Sequence, residues 1–218
     1  MKHLLTLILL LLSLAAQSQQ APDGYFNAPT LTITGDFNGD GITERLIQDM
    51  ADSTGTAVKY LRETPAEIEN DTTNEGWYRY IAFYSSFNYR TRLHTENPKT
   101  GALYFSNSQG LYCLINVGNL NTVKGDEIAL VIDRLDQSRI NECRIFTLCN
   151  GVWKEVFKYY VHEDAFDFKR GDVAVLKNIP EALEFKDGQW LYLDYLDMPY
   201  ENIEDVGKML PLKVGDCK

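Results

Sequence analysis

Asp36, Asn38, Asp40 and Glu44 carry the chemistry that most narrows this chain. They are oxygen-bearing residues at alternate positions in the run Gly35-Asp36-Phe37-Asn38-Gly39-Asp40-Gly41-Ile42-Thr43-Glu44. Counting Asp36 as position one, Asn38, Asp40 and Glu44 stand at three, five and nine, the Ile42 carbonyl falls at seven, and Gly41 permits the sharp turn at six. Calcium is a hard cation that takes about six to eight oxygens. Two or three carboxylates, one amide and one carbonyl make most of that shell, with water completing it. An EF-hand would place a bidentate Glu at position twelve, but Ile47 stands there and both flanks read as strands. The spacing therefore predicts a calcium loop inside a β protein. Asp, Asn and Gly also gather in plain turns, which accounts for the composition but not the spacing.

Other reactive residues are sparse. Past the N-terminal leader the histidines are His94 and His162, and neither sits in a hydrolase or metallohydrolase motif. His162-Glu163-Asp164, with Asp167 nearby, has metal-binding or acid-base potential but reads better as a solvated turn. Ser85 and Ser86 lack a nucleophile-elbow context, and Arg170-Gly171-Asp172 is a tripeptide too short to carry a function. Trp77, Tyr78, Tyr80 and Tyr84 form the densest aromatic group and are a candidate binding face for a sugar or peptide. Aromatic residues also simply favour strands.

The elements expected to position these residues are mainly strands. Residues 30–34 alternate into the loop and 44–50 continue out of it. A turn at Asp52-Ser53-Thr54-Gly55 precedes a strand over 56–62, residues 63–76 read as an acidic surface loop, and 77–89 reads as an aromatic-rich strand. Residues 102–105 and 111–117 read as a strand pair. Strands are expected over 127–133, 142–149 and 152–161, the last two joined by Asn150-Gly151, a strong type I′ hairpin signal. Another hairpin centres on Lys186-Asp187-Gly188, with 189–196 as its outgoing strand. Helix is signalled only near 201–209.

Gly118-Asn119-Leu120-Asn121-Thr122-Val123-Lys124-Gly125-Asp126-Glu127 aligns without gaps on Gly35 to Glu44, and the apolar run Ile128-Ala129-Leu130-Val131 follows it. The degenerate repeats at 35–47 and 118–131 resemble the FG-GAP and VCBS families of exported proteins, whose blades open with a GDFNGDG-like calcium loop and run into a strand. In that resemblance Asp36, Asn38, Asp40 and Glu44 take the metal-ligand positions. The second copy departs from the pattern, since Val123 replaces the position-five carboxylate and Lys124 adds positive charge, so it is expected to keep the turn and lose the ion. The resemblance implies a small or irregular β-propeller-like domain of antiparallel hairpins, with an open or packed antiparallel sheet as the alternative.

Composition limits the partners. The chain has 218 residues with 21 Lys and Arg against 31 Asp and Glu, a formal charge of −10. Nucleic acid is excluded as an expected partner, because binding it needs clustered cations. The basic start, the apolar run from Leu4 to Leu12 and the small-residue site Ala16-Gln17-Ser18 have the layout of a secretory signal over 1–18. That leaves 19–218 as one mainly-β domain, periplasmic or extracellular, with no membrane span expected and no cysteine placed for a lipid anchor. Export permits disulfides among Cys113, Cys143, Cys149 and Cys217. Cys143 and Cys149 share one expected strand and sit roughly 20 Å apart at about 3.3 Å per residue, too far to bond to each other.

Together these readings lead to an exported, calcium-stabilised, non-enzymatic binding module with an unidentified protein or glycan partner. A resemblance to bacterial periplasmic immunity proteins of propeller type implies inhibition of a lysozyme-like effector. The alternative is an exported hydrolase of carbohydrate or peptide, whose paired carboxylates would have to face each other across a cleft.

Overall fold

The computed structural model describes residues 20–97, 99–136, 138–166, 174–197 and 207–217. The expected signal peptide, the Arg170-Gly171-Asp172 tripeptide, Asp167 and most of the expected 201–209 helix lie outside them. Residues 207–209, which are described, are not helical.

Four strands form a first antiparallel sheet: β2 (Leu31–Gly35), β3 (Glu44–Ala51), β5 (Arg90–Thr95) and β6 (Leu103–Ser106), paired in that order. A second antiparallel meander pairs β7 (Ser108–Gly118), β8 (Glu127–Arg134), β9 (Ile140–Cys149) and β10 (Val152–His162). A three-stranded sheet follows from β11 (Leu183–Lys186), β12 (Gln189–Tyr192) and β13 (Leu210–Pro211), and β1 (Tyr25–Asn27) pairs with β4 (Tyr60–Arg62). The chain is mainly β with antiparallel sheets, and among the described residues they do not close into a barrel or a propeller.

The middle sheet is buried on both faces, which explains the uninterrupted apolar run of β8. One face, with Leu114, Ile128, Leu130 and Phe146, packs against Ile33, Phe37, Leu46 and Leu93 of the first sheet and its loop. The other, with Cys113, Ala129, Val131, Cys143 and Tyr159, packs against Leu183, Trp190 and Leu212 of the third. A strand covered on both sides has no polar alternation to show. The sheets thus stack in chain order.

The two hairpin signals hold. Asn150 and Gly151 sit at φ 52° and 82° between paired Cys149 and Val152, and Asp187 and Gly188 at 51° and 78° between paired Lys186 and Gln189. The outgoing strand of the second hairpin stops at Tyr192.

Three expectations are corrected. Residues 77–89 are not a strand: α2 (Asn74–Ser85) is a helix, capped by the Thr73 hydroxyl accepting from the Gly76 N–H at 3.1 Å, and it follows a single turn, α1 (Ala66–Glu69), inside the expected loop. Strands β6 and β7 do not pair with each other: β6 pairs with β5 and β7 with β8, so the turn between them crosses from one sheet to the next. The strand expected over 56–62 contracts to β4.

Candidate functional site

The loop between β2 and β3 is closed by the Gly35–Glu44 pair. Within it side-chain oxygens turn inward onto the main chain: Asp36 Oδ1 and Asn38 Oδ1 both accept the Asp40 N–H, at 3.1 and 2.9 Å, and Asp36 Oδ2 accepts Gly41 N–H at 2.9 Å. Asn38 Nδ2 donates to Glu44 Oε1 at 2.8 Å. Asp36, Asn38 and Glu44 are thereby brought together. Asp40 is turned differently, its Oδ1 accepting the N–H of Ile42 at 2.8 Å, and the Ile42 side chain is exposed. Glu44 Oε2 is buried and has no hydrogen-bond partner.

The second repeat occupies the equivalent place, between the first two strands of the next meander, closed by the Gly118–Glu127 pair. Its Asn121 Oδ1 accepts Val123 N–H at 2.7 Å, as Asn38 does in the first loop. At position one the role inverts: Asn119 Nδ2 donates to the Val123 carbonyl at 2.8 Å. Glu127 is fully buried, with Oε2 accepting Leu120 N–H at 2.5 Å and Oε1 accepting the Thr147 hydroxyl at 2.8 Å. Burial holds this carboxyl above its ordinary range, against those two hydrogen bonds. The C-terminal segment closes the loop from outside, Asp216 Oδ1 accepting from Thr122 N and Oγ1 and the Gly215 carbonyl from Asn121. The Cys149–Cys217 disulfide anchors that segment.

The loops also clasp each other, which the sequence did not announce. Asp126 N–H donates to the Asp36 carbonyl at 2.8 Å, and Asp126 Oδ2 accepts from Asp36 N–H at 3.0 Å and Asn116 Nδ2 at 2.9 Å. The glycines make this approach possible: a Cβ on Gly39 would lie 2.5 Å from Lys124 Cβ, and one on Gly125 2.5 Å from the Phe37 carbonyl oxygen. Asp126 stands where the first copy has Thr43, so the repeat alignment held the only available signal for it.

Helix α2 divides the aromatic group. Trp77, Tyr80 and Tyr84 follow helical spacing along one face, with Trp77 stacked on Tyr80 at 5.4 Å between centroids and Tyr80 tilted on Tyr84 at 4.8 Å. Tyr78 points away and is 66% exposed. A four-residue face including Tyr78 is therefore not formed; the inward three remain together. Tyr80 and Tyr84 border a cavity of about 670 Å³ between the helix and the ends of the first two sheets. Gln109 Nε2 donates to the Tyr80 hydroxyl at 2.6 Å, and burial raises that phenol to about 12, so it keeps its proton at neutral pH.

Candidate acid-base groups elsewhere are held in ion pairs. Arg139 pairs with both Glu163 and Asp164, while His162 Nδ1 accepts the Asp164 N–H at 3.2 Å. Asp49 is gripped by Arg92 through two hydrogen bonds at 2.8 and 2.5 Å. Glu142 lies among Lys158, Arg144 and Arg134, and its carboxyl is lowered to about 2, chiefly by the Lys158 hydrogen bond. Ser86 Oγ donates to the Phe83 carbonyl at the end of α2. Cys113 and Cys143 are buried free thiols, both pushed up by burial. Each lies beside Val131 on opposite sides of β8, about 10 Å apart at the usual strand spacing and beyond disulfide reach.

No family model, curated protein or solved structure matches the chain. Among the described residues no three His, Cys, Asp or Glu side chains gather as a metal centre built of those types alone, and no helix is long and apolar enough to cross a membrane. The first loop's oxygen set is mixed, drawing on Asn38 and the main chain as well. Its buried, unpartnered Glu44 Oε2 and the second lone pairs of Asp36 and Asn38 suit a hard cation, which needs no donor from the protein.

Proposed function

We propose that the chain is an exported, calcium-stabilised binding module of FG-GAP/VCBS-like type without catalytic activity, its stacked meanders forming part of an irregular propeller-like array. Asp36, Asn38, Asp40, Glu44 and the Ile42 carbonyl hold the ion in this reading, and calcium supplies the positive charge that three neighbouring carboxylates lack. The observation that carries it is the contrast at one repeat position: Glu127 is satisfied on both oxygens, whereas Glu44 leaves one buried oxygen without a partner. The ion pairing of Asp49, Glu142 and Glu163 supports a binding role over hydrolysis.

The partner is a protein or glycan. The charge of −10 favours a basic protein through faster association, and the resemblance to immunity proteins makes a lysozyme-like effector the first protein to assay for inhibition. Titration calorimetry of metal-stripped protein tests the metal. Saturable calcium binding in the 10⁻⁴–10⁻³ M range usual for extracellular modules is expected, weakened about tenfold or more in Glu44→Gln. If instead calcium releases no heat and Glu44→Gln simply raises the melting temperature, Glu44 is an uncompensated carboxylate and the metal reading fails.

A further inference from the structure

The cavity beneath α2 carries its own evidence. Gln48 on β3 lines it and is fully buried; its Nε2 donates to the Pro29 carbonyl at 3.2 Å, but its Oε1 has no partner. Arg90 on β5 also lines it. One of its terminal nitrogens donates to the carbonyls of Asp52 and Ser53, its guanidinium lies over Tyr104 at 4.6 Å, and its buried Nε is unpartnered. Arg90 stands on the opposite face of the sheet, since it pairs with Ala51 whereas Gln48 pairs with Leu93, so the unmet acceptor facing the cavity is the Gln48 oxygen. A well-satisfied interior does not leave such an acceptor bare without a reason.

The lining identifies the chemistry that would meet them. Its charged side chains are Arg90 and Asp133, one of each sign, so a net-charged ligand gains nothing from the wall as a whole. Tyr80, Tyr84 and Tyr89 border it with apolar rings and phenol hydroxyls, and Gln109 adds an amide. A ligand that donates to Gln48, accepts from the phenol hydroxyls and lays an apolar face along the aromatic lining meets these groups. Hydroxyl groups do the first two, and the C–H face of a pyranose does the third. The volume, about 670 Å³, lies within the range of small-ligand sites.

We propose that this cavity binds a neutral saccharide of one or two rings, with Gln48 as its polar anchor and Tyr80 as its hydroxyl donor. This extends the binding reading by naming a ligand class, and it does not depend on calcium in the β2–β3 loop.

The test is a ¹H–¹⁵N NMR titration of the protein with cellobiose, maltose, lactose and di-N-acetylchitobiose, each run in calcium and in chelator. The neutral peptide Ala-Ala-Ala-amide serves as the alternative occupant. Expected is saturable shifting of the Gln48, Tyr80, Arg90 and Gln109 signals by at least one sugar in both buffers. Gln48→Leu should weaken binding about tenfold, and Tyr80→Phe, which removes one hydroxyl and no volume, should weaken it severalfold. Tyr78→Ala, on the outer side of α2, should leave it unchanged. The proposal is overturned if none of the four sugars binds saturably, if only the peptide binds, or if sugar binding survives both Gln48→Leu and Tyr80→Phe. Loss of calcium binding with an intact sugar titration would remove the metal reading alone.

Discussion

The β2–β3 and β7–β8 loops begin from the same ten-residue pattern and reach the same place in successive meanders, yet they are held by different means. In the second, Glu127 is met by Leu120 and Thr147, and the tail brings Asp216 onto Thr122 under a disulfide. In the first, Asp36 and Asn38 fold onto the main chain and Glu44 keeps a bare oxygen. A repeat position that must be neutralised has two solutions, protein donors or a cation. Val123 and Lys124 in the second loop fit the former, Asp40 and Gly41 in the first the latter.

The largest effect should come from the second loop's clamp. Cys149→Ser opens a crosslink between residues 68 apart in sequence and should cost about 2–4 kcal/mol, read by denaturant unfolding. Amide exchange should quicken at Thr122 and Val123 and much less at Asp40 and Gly41. Equal loosening of both loops would break the comparison.

Next in size is calcium. At a hundredfold excess over Kd it should add about 2.7 kcal/mol, seen as a higher melting temperature in millimolar calcium than in chelator. Asp40→Ala should erase nearly all of that difference and Val123→Ala none of it. Identical melting in both buffers on metal-stripped protein would leave the first loop an ordinary turn.

Gly125→Ala strikes the clasp itself, because its backbone is at φ 121° and the new methyl meets the Phe37 carbonyl. A loss of about 1–3 kcal/mol is expected, together with weaker calcium binding, since Phe37 and Gly39 must shift. Unchanged affinity would show that the loops act independently. Asp216→Ala removes two exposed hydrogen bonds to Thr122 and should cost only about 1 kcal/mol, with no change in calcium affinity.

The smallest effect concerns the pH dependence of stability. Glu127 has a folded value raised above its ordinary 4.5 by burial, so it favours the folded state when protonated. That contribution is fully present below 4.5 and is lost as pH rises through the folded value. Glu127→Gln should flatten the stability profile across that interval; an unchanged slope there would mean the carboxyl is better solvated than its burial implies.

Much of this was readable from local chemistry. The paired strands β2 and β3, the Asn150-Gly151 hairpin and the equivalence of the two loops follow from alternation, turn residues and spacing, all of which act over a few residues. The aromatic segment misled for a local reason too. Trp, Tyr and Phe have high β propensity, while Thr73 as a cap and the 77, 80, 84 spacing point to helix; packing of that face over the cavity decided between them. The exclusion of a Cys143–Cys149 bond was likewise available from strand geometry, although Cys217 as the partner of Cys149 was not.

What no local pattern contained were the contacts across the chain. Asp126 capping Asp36 and Asp216 on Thr122 join segments 90 and 94 residues apart, and one cavity is lined by both Gln48, with its Oε1 unmet, and Tyr80. Residue type and spacing decide what a side chain can bond, because those are properties of a few neighbouring atoms. Whether its partner is the main chain, a distant carboxylate or a ligand depends on which sheet stacks on which. That was settled only when the middle sheet buried both its faces.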